Sequence, residues 1–263
     1  MSDPAAGRVV LRREGPVLHA VLSNPARRNA ITWAMYDQLL ELCDEVDADP
    51  GLRLVVVRGE GEAFAAGTDV HQFAAFGEGE RGGADGVAYE HRVAAVLDRL
   101  LALRVPVLGV VDGPAVGAGL AVAAVCDVLV ATTEARFGVP IARTLGNCIP
   151  AAVVARLQQR LGAGRTTAML LTARLLGADE AAAAGFVHRV VPRAELDAAA
   201  ADLVRRISAG APLTLASLKE IDRRLAPAVA PADDLLARCY GSADFREGVA
   251  AFLDHRTPQW EGR

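Results

Sequence analysis

The chain has 263 residues, of which 52% are hydrophobic, and its formal net charge is −4. This charge argues against a general nucleic-acid-binding or membrane-binding surface. Asp112 and Asp127 interrupt the most apolar region, so no run approaches the ~20 residues that a membrane span needs.

The N-terminal residues lack a basic region followed by an apolar one, so no signal peptide is expected. Four widely scattered cysteines fit free thiols better than a disulfide framework: Cys43, Cys126, Cys148 and Cys239. We therefore expect a cytoplasmic protein.

The first elements alternate between strand and helix. Residues 9–12 and 17–22 flank Glu-Gly-Pro and predict a hairpin. A helix follows from Thr32, because Met35, Leu39, Leu42 and Val46 form one apolar stripe. The continuous apolar run at 54–58 indicates a strand that is covered on both faces.

Residues 71–86 are rich in Gly and Glu, and they show no periodicity, which predicts a mobile surface loop. Within it, residues 77–82 satisfy G-x-G-x-x-G. No strand directly precedes this motif and its glutamates would repel a pyrophosphate, so we interpret it as a chance match. Apolar spacing at 93–101 then predicts a helix.

Residues 105–131 predict a buried strand, a turn, a buried helix and a second strand. The turn Gly117-Ala118-Gly119 is compatible with an anion site or with tight helix–strand packing. A similar glycine turn, residues 66–69, follows the strand at 54–58. Two such turns, each offering a backbone N–H group, would make a two-donor oxyanion hole.

Beyond residue 131, helical patterns cover 151–161, 165–171 and 176–184, and a last short strand is predicted at 187–191. From residue 194 onward every pattern is helical. The sequence thus predicts an α/β core over 1–193 and a helical region over 194–263. It contains no G-x-S-x-G nucleophile motif, and its histidines and cysteines lack metal-ligand spacing, so no metal site is expected.

The motifs together resemble the crotonase (enoyl-CoA hydratase/isomerase) superfamily. The resemblance rests on NPARRNA at 24–30, LVVVRGEGEAFAAGTD at 54–69 and PVLGVVDGPAVGAGLAVAAVCDVLVATTEARFGVP at 106–140. It continues with ADEAAAAGFVHRVVP at 178–192 and DFREGVAAFLDHRTPQW at 244–260. It implies an α/β, ClpP/crotonase-like spiral of ββα units with a C-terminal helical oligomerisation region, forming a homotrimer or a hexamer. It also implies acyl-CoA thioester substrates, with coenzyme A as part of the substrate and no further cofactor.

The resemblance assigns site residues position by position. The N–H groups of Thr68 and Ala118 would bind the thioester oxygen. Arg28 and Ala66 match the segment that holds the adenine and phosphates of CoA. The remaining substrate-binding positions are Gly117, Ile141, Phe252 in the acyl site, and His255, where the family places a lysine for a CoA phosphate.

The chain departs from the family at the two usual catalytic glutamates, which are replaced by Ala121 and Ile141. Neither side chain can exchange a proton, so ordinary two-glutamate hydration is not expected. Three other residues are candidates for the acid, base or nucleophile: His91, Asn147 and Cys148. His91 could instead lie on a solvated helix face, and Cys148 could be a small buried apolar residue unless Arg143 lowers the pKa of its thiol.

Asp69 is expected to cap the helical turn that follows Thr68. Three functions remain open at this point. The first is an enolate-stabilising enzyme of the hydratase/isomerase family, and the second is a catalytically decayed acyl-CoA-binding protein. The third is a thioesterase or dehalogenase-like enzyme that uses Cys148.

Overall fold

The computed structural model describes residues 7–226 and 228–263. Residues 1–6, on which part of the signal-peptide prediction rests, lie outside the described residues. No helix within the described ranges is both long and apolar enough to cross a bilayer.

The described residues form nine strands and eleven α-helices. The strands are β1 (Arg8–Glu14), β2 (Val17–Ser23), β3 (Leu54–Gly59), β4 (Val107–Val111), β5 (Pro114–Val116), β6 (Val128–Thr132), β7 (Arg136–Gly138), β8 (Leu176–Gly177) and β9 (Arg189–Val191). The helices are α1 (Trp33–Ala48), α2 (Gly79–Ala102), α3 (Ala118–Val125), α4 (Ile141–Thr144), α5 (Ala151–Leu161), α6 (Ala163–Thr172), α7 (Ala178–Ala183), α8 (Leu196–Ser208), α9 (Pro212–Arg224), α10 (Asp233–Tyr240) and α11 (Ala243–Leu253).

The strands form two sheets, one in the order β1-β2-β3-β4-β6-β9 and a smaller one in the order β5-β7-β8. The predicted hairpin is confirmed, because β1 pairs with β2 antiparallel over its whole length. Within the larger sheet, strands β2, β3, β4, β6 and β9 run parallel, as expected for strands that read as continuous apolar runs. Helices cover both faces of this sheet, which buries β3 and β4 almost completely.

Helix α1 begins where the sequence predicts. Thr32 is its N-cap, and the Thr32 side chain accepts a hydrogen bond from the Met35 N–H at 3.3 Å. The predicted stripe of Met35, Leu39, Leu42 and Val46 is fully buried.

The predicted loop at 71–86 is wrong. A 3-10 helix covers Val70–Ala75, and α2 already begins at Gly79. The glycines that suggested a loop let α10 pack closely against α2: a Cβ atom on Gly86 would lie 2.0 Å from the Tyr240 ring, and one on Gly83 would lie 2.7 Å from the Ala237 carbonyl oxygen. Tertiary packing therefore overrides the low helix propensity of glycine.

The predicted helix at 176–184 is wrong at its first two residues, which pair with β7 as strand β8. The helix predicted at 93–101 is only the C-terminal part of α2, which begins at Gly79. The helix predicted at 151–161 agrees with α5, and the one predicted at 165–171 differs from α6 by one or two residues at its ends. The last strand is shorter than predicted, covering only Arg189–Val191.

The C-terminal helices pack on the core in different ways. Helix α8 covers the outer face of the six-stranded sheet with Leu196, Ala200 and Leu203. Helix α9 is joined to the core by Lys219, whose ammonium group lies 2.8 Å from an Asp127 carboxylate oxygen and 3.1 Å from the Val105 carbonyl oxygen. The boundary at residue 193 stays a prediction, but the helix immediately after it is part of the packed core.

Candidate active site

The loop of residues 24–30 is built around the side chain of Asn29, which is fully buried. Its amide nitrogen donates to the carbonyl oxygens of Glu60 at 2.8 Å and Ala63 at 2.7 Å, and its amide oxygen accepts from the Asn24 N–H at 3.0 Å. The neighbouring Arg28 has a left-handed backbone with φ 49°. This geometry fixes the loop against the segment that follows β3.

The first glycine turn lies between this loop and the 3-10 helix at Val70–Ala75. The Ala66 N–H donates to the Arg28 carbonyl oxygen at 3.0 Å, and the Gly67 carbonyl oxygen accepts from the Ile31 N–H at 2.7 Å. Gly67 has φ 110°, a conformation that favours glycine. The Asp69 N–H donates to the Ile31 carbonyl oxygen at 2.9 Å, so the backbone is held on either side of Thr68.

Asp69 has the capping role that the sequence predicts. Its carboxylate accepts from the His71 N–H at 3.2 Å, at the start of the 3-10 helix. It also forms an ion pair with Arg27, which sequence reasoning did not anticipate. Arg28, by contrast, forms no ion pair with any described residue, so its guanidinium is available to a ligand.

The second glycine turn joins β5 to α3. Gly117 has φ 55° and ψ −122°, and its N–H donates to the Gly138 carbonyl oxygen at 2.9 Å. Only glycine adopts this conformation readily. It brings Ala118 to the first position of α3, where a helix leaves its N–H groups without internal partners.

The two turns are in contact. A Cβ atom on Gly117 would lie 3.5 Å from the Gly67 Cα atom, and one on Gly119 would lie 2.2 Å from the Ala65 carbonyl oxygen. Among the described residues, the N–H groups of Thr68 and Ala118 donate to no backbone acceptor. Two unpaired backbone donors therefore border the same space, an arrangement suited to a negatively charged oxygen.

These donors line a cavity of about 700 Å³. The same cavity collects nine of the eleven site residues that the sequence predicts: Arg28, Ala66, Thr68, Gly117, Ala118, Ile141, Asn147, Phe252 and His255. Ala121 also lines it, so both positions at which the family resemblance predicts a glutamate, Ala121 and Ile141, face the cavity. The roles of these residues stay predictions, but the chain does bring them together.

His91 and Cys148 are the two candidates that do not line the cavity. The side chain of His91 is 61% exposed, and its Nε2 atom lies 3.0 Å from an Asp233 carboxylate oxygen. His91 therefore lies on a solvated helix face, which was the alternative to a catalytic role. The structure gives no support to a catalytic His91.

Cys148 has the properties of a structural cysteine. Burial raises the pKa of its thiol, and its nearest ionisable neighbours include the thiol of Cys239 and the carboxyl of Glu90. Arg143, the cation that could have activated it, is not among the main influences on this pKa. Because the thiolate is the reactive form, a nucleophilic Cys148 is disfavoured.

Sequence reasoning missed a second buried carboxyl group of the cavity wall, besides that of Asp69. Glu90 on α2 is only 3% exposed and lines the cavity. Its Oε1 atom accepts a hydrogen bond from the Tyr240 hydroxyl, which in turn accepts from the Asn147 side-chain amide at 2.8 Å. Burial raises the pKa of Glu90 to about 8.

Helical spacing could have identified Glu90. It lies three residues before Val93 and seven residues before Leu97, so it shares the helix face of the predicted apolar stripe. His91, one residue later, lies on a different face of the helix. A carboxyl group on the apolar face of a helix is the sequence signal that could have pointed to Glu90.

Aromatic side chains form the wall behind Thr68. Its Oγ1 atom lies 2.7 Å from the Tyr36 hydroxyl and 2.6 Å from the Tyr89 hydroxyl. The ring of Trp33 packs against Tyr89 with centroids 5.2 Å apart, and Phe73 contacts both rings. The first turn is therefore positioned from α1 and α2 at once.

Comparisons with known proteins identify the family of this chain. The family model described as Enoyl-CoA hydratase/isomerase matches residues 12–263. The chain belongs to the enoyl-CoA hydratase/isomerase family, which is the crotonase superfamily that the sequence motifs predict.

The chain is similar to several members along nearly its whole length. It is 34% identical to carnitinyl-CoA dehydratase of Proteus mirabilis over 263 residues, covering 96% of this chain and 98% of the relative. It is 31% identical to 2,3-dehydroadipyl-CoA hydratase of Escherichia coli over 268 residues, covering 97% and 99%.

The solved structures confirm the predicted ClpP/crotonase-like fold. An enoyl-CoA hydratase/carnithine racemase from Magnetospirillum magneticum superimposes with a TM-score of 0.78 at 33% identity, covering 97% of this chain and 96% of that one. Methylmalonyl-CoA decarboxylase in complex with 2-nitronate-propionyl-CoA gives a TM-score of 0.86 at 23% identity, covering 97% and 99%, which shows the shared fold alone.

Proposed function

We propose that this protein is an acyl-CoA enzyme that forms an enolate at the thioester, with the N–H groups of Thr68 and Ala118 as the oxyanion hole. The observation that carries the proposal is the contact between the two glycine turns, which leaves both N–H groups unpaired at one cavity. As the thioester oxygen gains negative charge, two such donors stabilise it more strongly than they stabilise the neutral carbonyl.

The cavity is lined by groups of two chemically different kinds. Arg28 and His255 supply cationic or polar groups suited to the phosphates of CoA, and Ala66 also lines the cavity. Ile141 and Phe252 supply apolar surface for the acyl group. The proposal needs no cofactor beyond the coenzyme A that is part of the substrate, and a cytoplasmic location remains a prediction.

The exact reaction differs from two-glutamate hydration in this proposal. Ala121 and Ile141 occupy the positions of the usual acids and cannot donate or accept a proton. We therefore expect enolate chemistry, such as isomerisation or exchange at Cα, with little hydration of crotonyl-CoA.

Proton exchange at Cα tests the proposal directly. The protein is incubated in deuterated water with straight-chain thioesters from butyryl-CoA to dodecanoyl-CoA, and deuterium at Cα is measured by NMR spectroscopy. We expect exchange with at least one thioester, because an enolate returns to the thioester by taking a proton from the solvent pool. Binding of every thioester without exchange would instead identify a catalytically decayed acyl-CoA-binding protein.

We also propose that the protein assembles as a homotrimer or a hexamer through its C-terminal helices. Helix α9 has no buried residue. Three large apolar side chains of this helix, Leu213, Leu218 and Ile221, are more than half exposed, and so is Leu225 directly after it. Such a face is typical of an interface between subunits. Light scattering is expected to give three or six times the 27.5 kDa chain mass, and replacing Leu218 and Ile221 by Lys should reduce it.

A further inference from the structure

The enolate proposal leaves open which group removes the proton, and Glu90 is placed to do so. It lies on α2, in the wall of the cavity that also contains Thr68 and Ala118. It is 3% exposed, and no ion pair joins it to a cation among the described residues. A buried carboxyl group without a charged partner is costly to maintain, which points to a functional reason for it.

The two oxygens of Glu90 have different surroundings. Oε1 accepts the hydrogen bond from the Tyr240 hydroxyl. Oε2 bonds to no described residue and is not among the polar atoms that are sealed from solvent, so it opens toward the cavity. One oxygen therefore holds the group in place while the other is free to meet a substrate.

The other titratable groups that face Glu90 are three phenols and one thiol. Burial raises the pKa values of all four, so they stay neutral near pH 7: Tyr36, Tyr89, Tyr240 and Cys148. The imidazoles of His71 and His255 also line the cavity, but His71 is hydrogen-bonded to Asp69 at 2.9 Å and His255 is assigned to the CoA phosphates in the function proposed above.

We propose that Glu90 is the catalytic residue that moves the Cα proton, an inference that rests on the enolate function proposed above. The Cα–H bond of the acyl group breaks and its proton binds Oε2 of Glu90. The electron pair of that bond forms the double bond of the enolate, and the thioester π electrons move to the oxygen held by Thr68 and Ala118. Return of a proton from Glu90 to carbon completes the cycle without any further reactant.

Tyr240 and Asn147 act as positioning residues. The Asn147 amide donates to the Tyr240 hydroxyl, and this hydroxyl donates to Glu90. The hydrogen bond from Tyr240 lowers the pKa of Glu90, in opposition to the larger effect of burial that raises it to about 8. The network thus keeps the carboxyl group close to the pH at which a general base works well.

The first test is Glu90→Gln, with His91→Gln as the matched control on the next residue of the same helix. Deuterium exchange should fall at least about a hundredfold in Glu90→Gln, as expected when a general base is removed. Calorimetry should show that this variant still binds the thioester. His91→Gln should exchange like the original protein, because its side chain faces solvent.

The second test is the pH profile. Exchange should rise about tenfold per pH unit below pH 8 and level off above it, because only the deprotonated carboxylate accepts the proton. In Tyr240→Phe the pKa of Glu90 loses a lowering contribution, so the midpoint should move to higher pH. A purely structural role of Tyr240 would change the rate without moving the midpoint.

The outcomes separate this inference from the function on which it rests. If the original protein exchanges and Glu90→Gln exchanges equally well, Glu90 is not the base and the enolate function stands. If the original protein exchanges no thioester, the enolate function fails and this inference fails with it. An unmoved midpoint in Tyr240→Phe would overturn the positioning role assigned to Tyr240.

Discussion

Replacing Ala118 by proline should lower the rate of Cα exchange about a hundredfold to a thousandfold, because it deletes one of the two N–H donors. Proline fits at the first position of a helix, where the missing N–H has no internal partner. The preceding Gly117 has ψ −122°, outside the helical region that a following proline disfavours. The lower rate of exchange should therefore come from the lost N–H donor of the oxyanion hole and not from damage to the fold.

Two comparisons make this result specific. Ala163→Pro introduces proline at the first position of α6, an exposed helix start away from the cavity, and it should leave exchange unchanged. Ala118→Ser keeps the N–H group and should lose much less than Ala118→Pro. Equal exchange by Ala118→Pro and the original protein would contradict the proposed oxyanion hole, provided that thermal unfolding shows both to be folded.

Gly119→Ala should damage the fold and the site together. The added Cβ atom would lie 2.2 Å from the Ala65 carbonyl oxygen and 2.8 Å from the Ala65 Cβ atom, and the nearer of these is rigid backbone. Either α3 or the segment of residues 65–69 must move. We expect the free energy of unfolding to fall by about 1–3 kcal/mol, and exchange to fall because the two N–H groups separate.

Denaturant unfolding and the exchange assay measure the two effects on the same samples. Gly164→Ala is the matched control, because it also adds one methyl group to a helical glycine but meets nothing within 4 Å. It should leave exchange unchanged and stability unchanged or slightly higher. Normal stability and normal exchange in Gly119→Ala would show that the contact between the turns is not required.

The sequence was sufficient for the fold and for the two glycine turns, because both depend on local patterns. Buried strands appear in the sequence as apolar runs, α1 appears as an apolar stripe that follows Thr32, and the turns appear as glycines after strands. The start of α2 could not be predicted from local patterns of this kind. Its glycines are accommodated by close packing against Tyr240, which is more than 150 residues away in the chain.

The site was predictable to the extent that its groups are backbone groups or follow a motif. The side-chain chemistry was harder, because Glu90 acquires its properties from burial and from Tyr240, neither of which is visible in the residues around it. Histidine is the more familiar catalytic residue, but His91 lies one residue after Glu90 on the helix, and its side chain therefore faces solvent and not the cavity. The ion pair between Arg27 and Asp69 also required the folded loop.

The aromatic wall behind Thr68 has an optical consequence. The chain contains two tryptophans, and one of them, Trp33, packs against Tyr89, whose hydroxyl contacts Thr68. The other, Trp260, is 40% exposed, and among the described residues it forms no ring pair with this wall. With Trp260→Phe, the remaining indole emission would come from beside the first glycine turn, so the protein carries an intrinsic fluorophore at its own site.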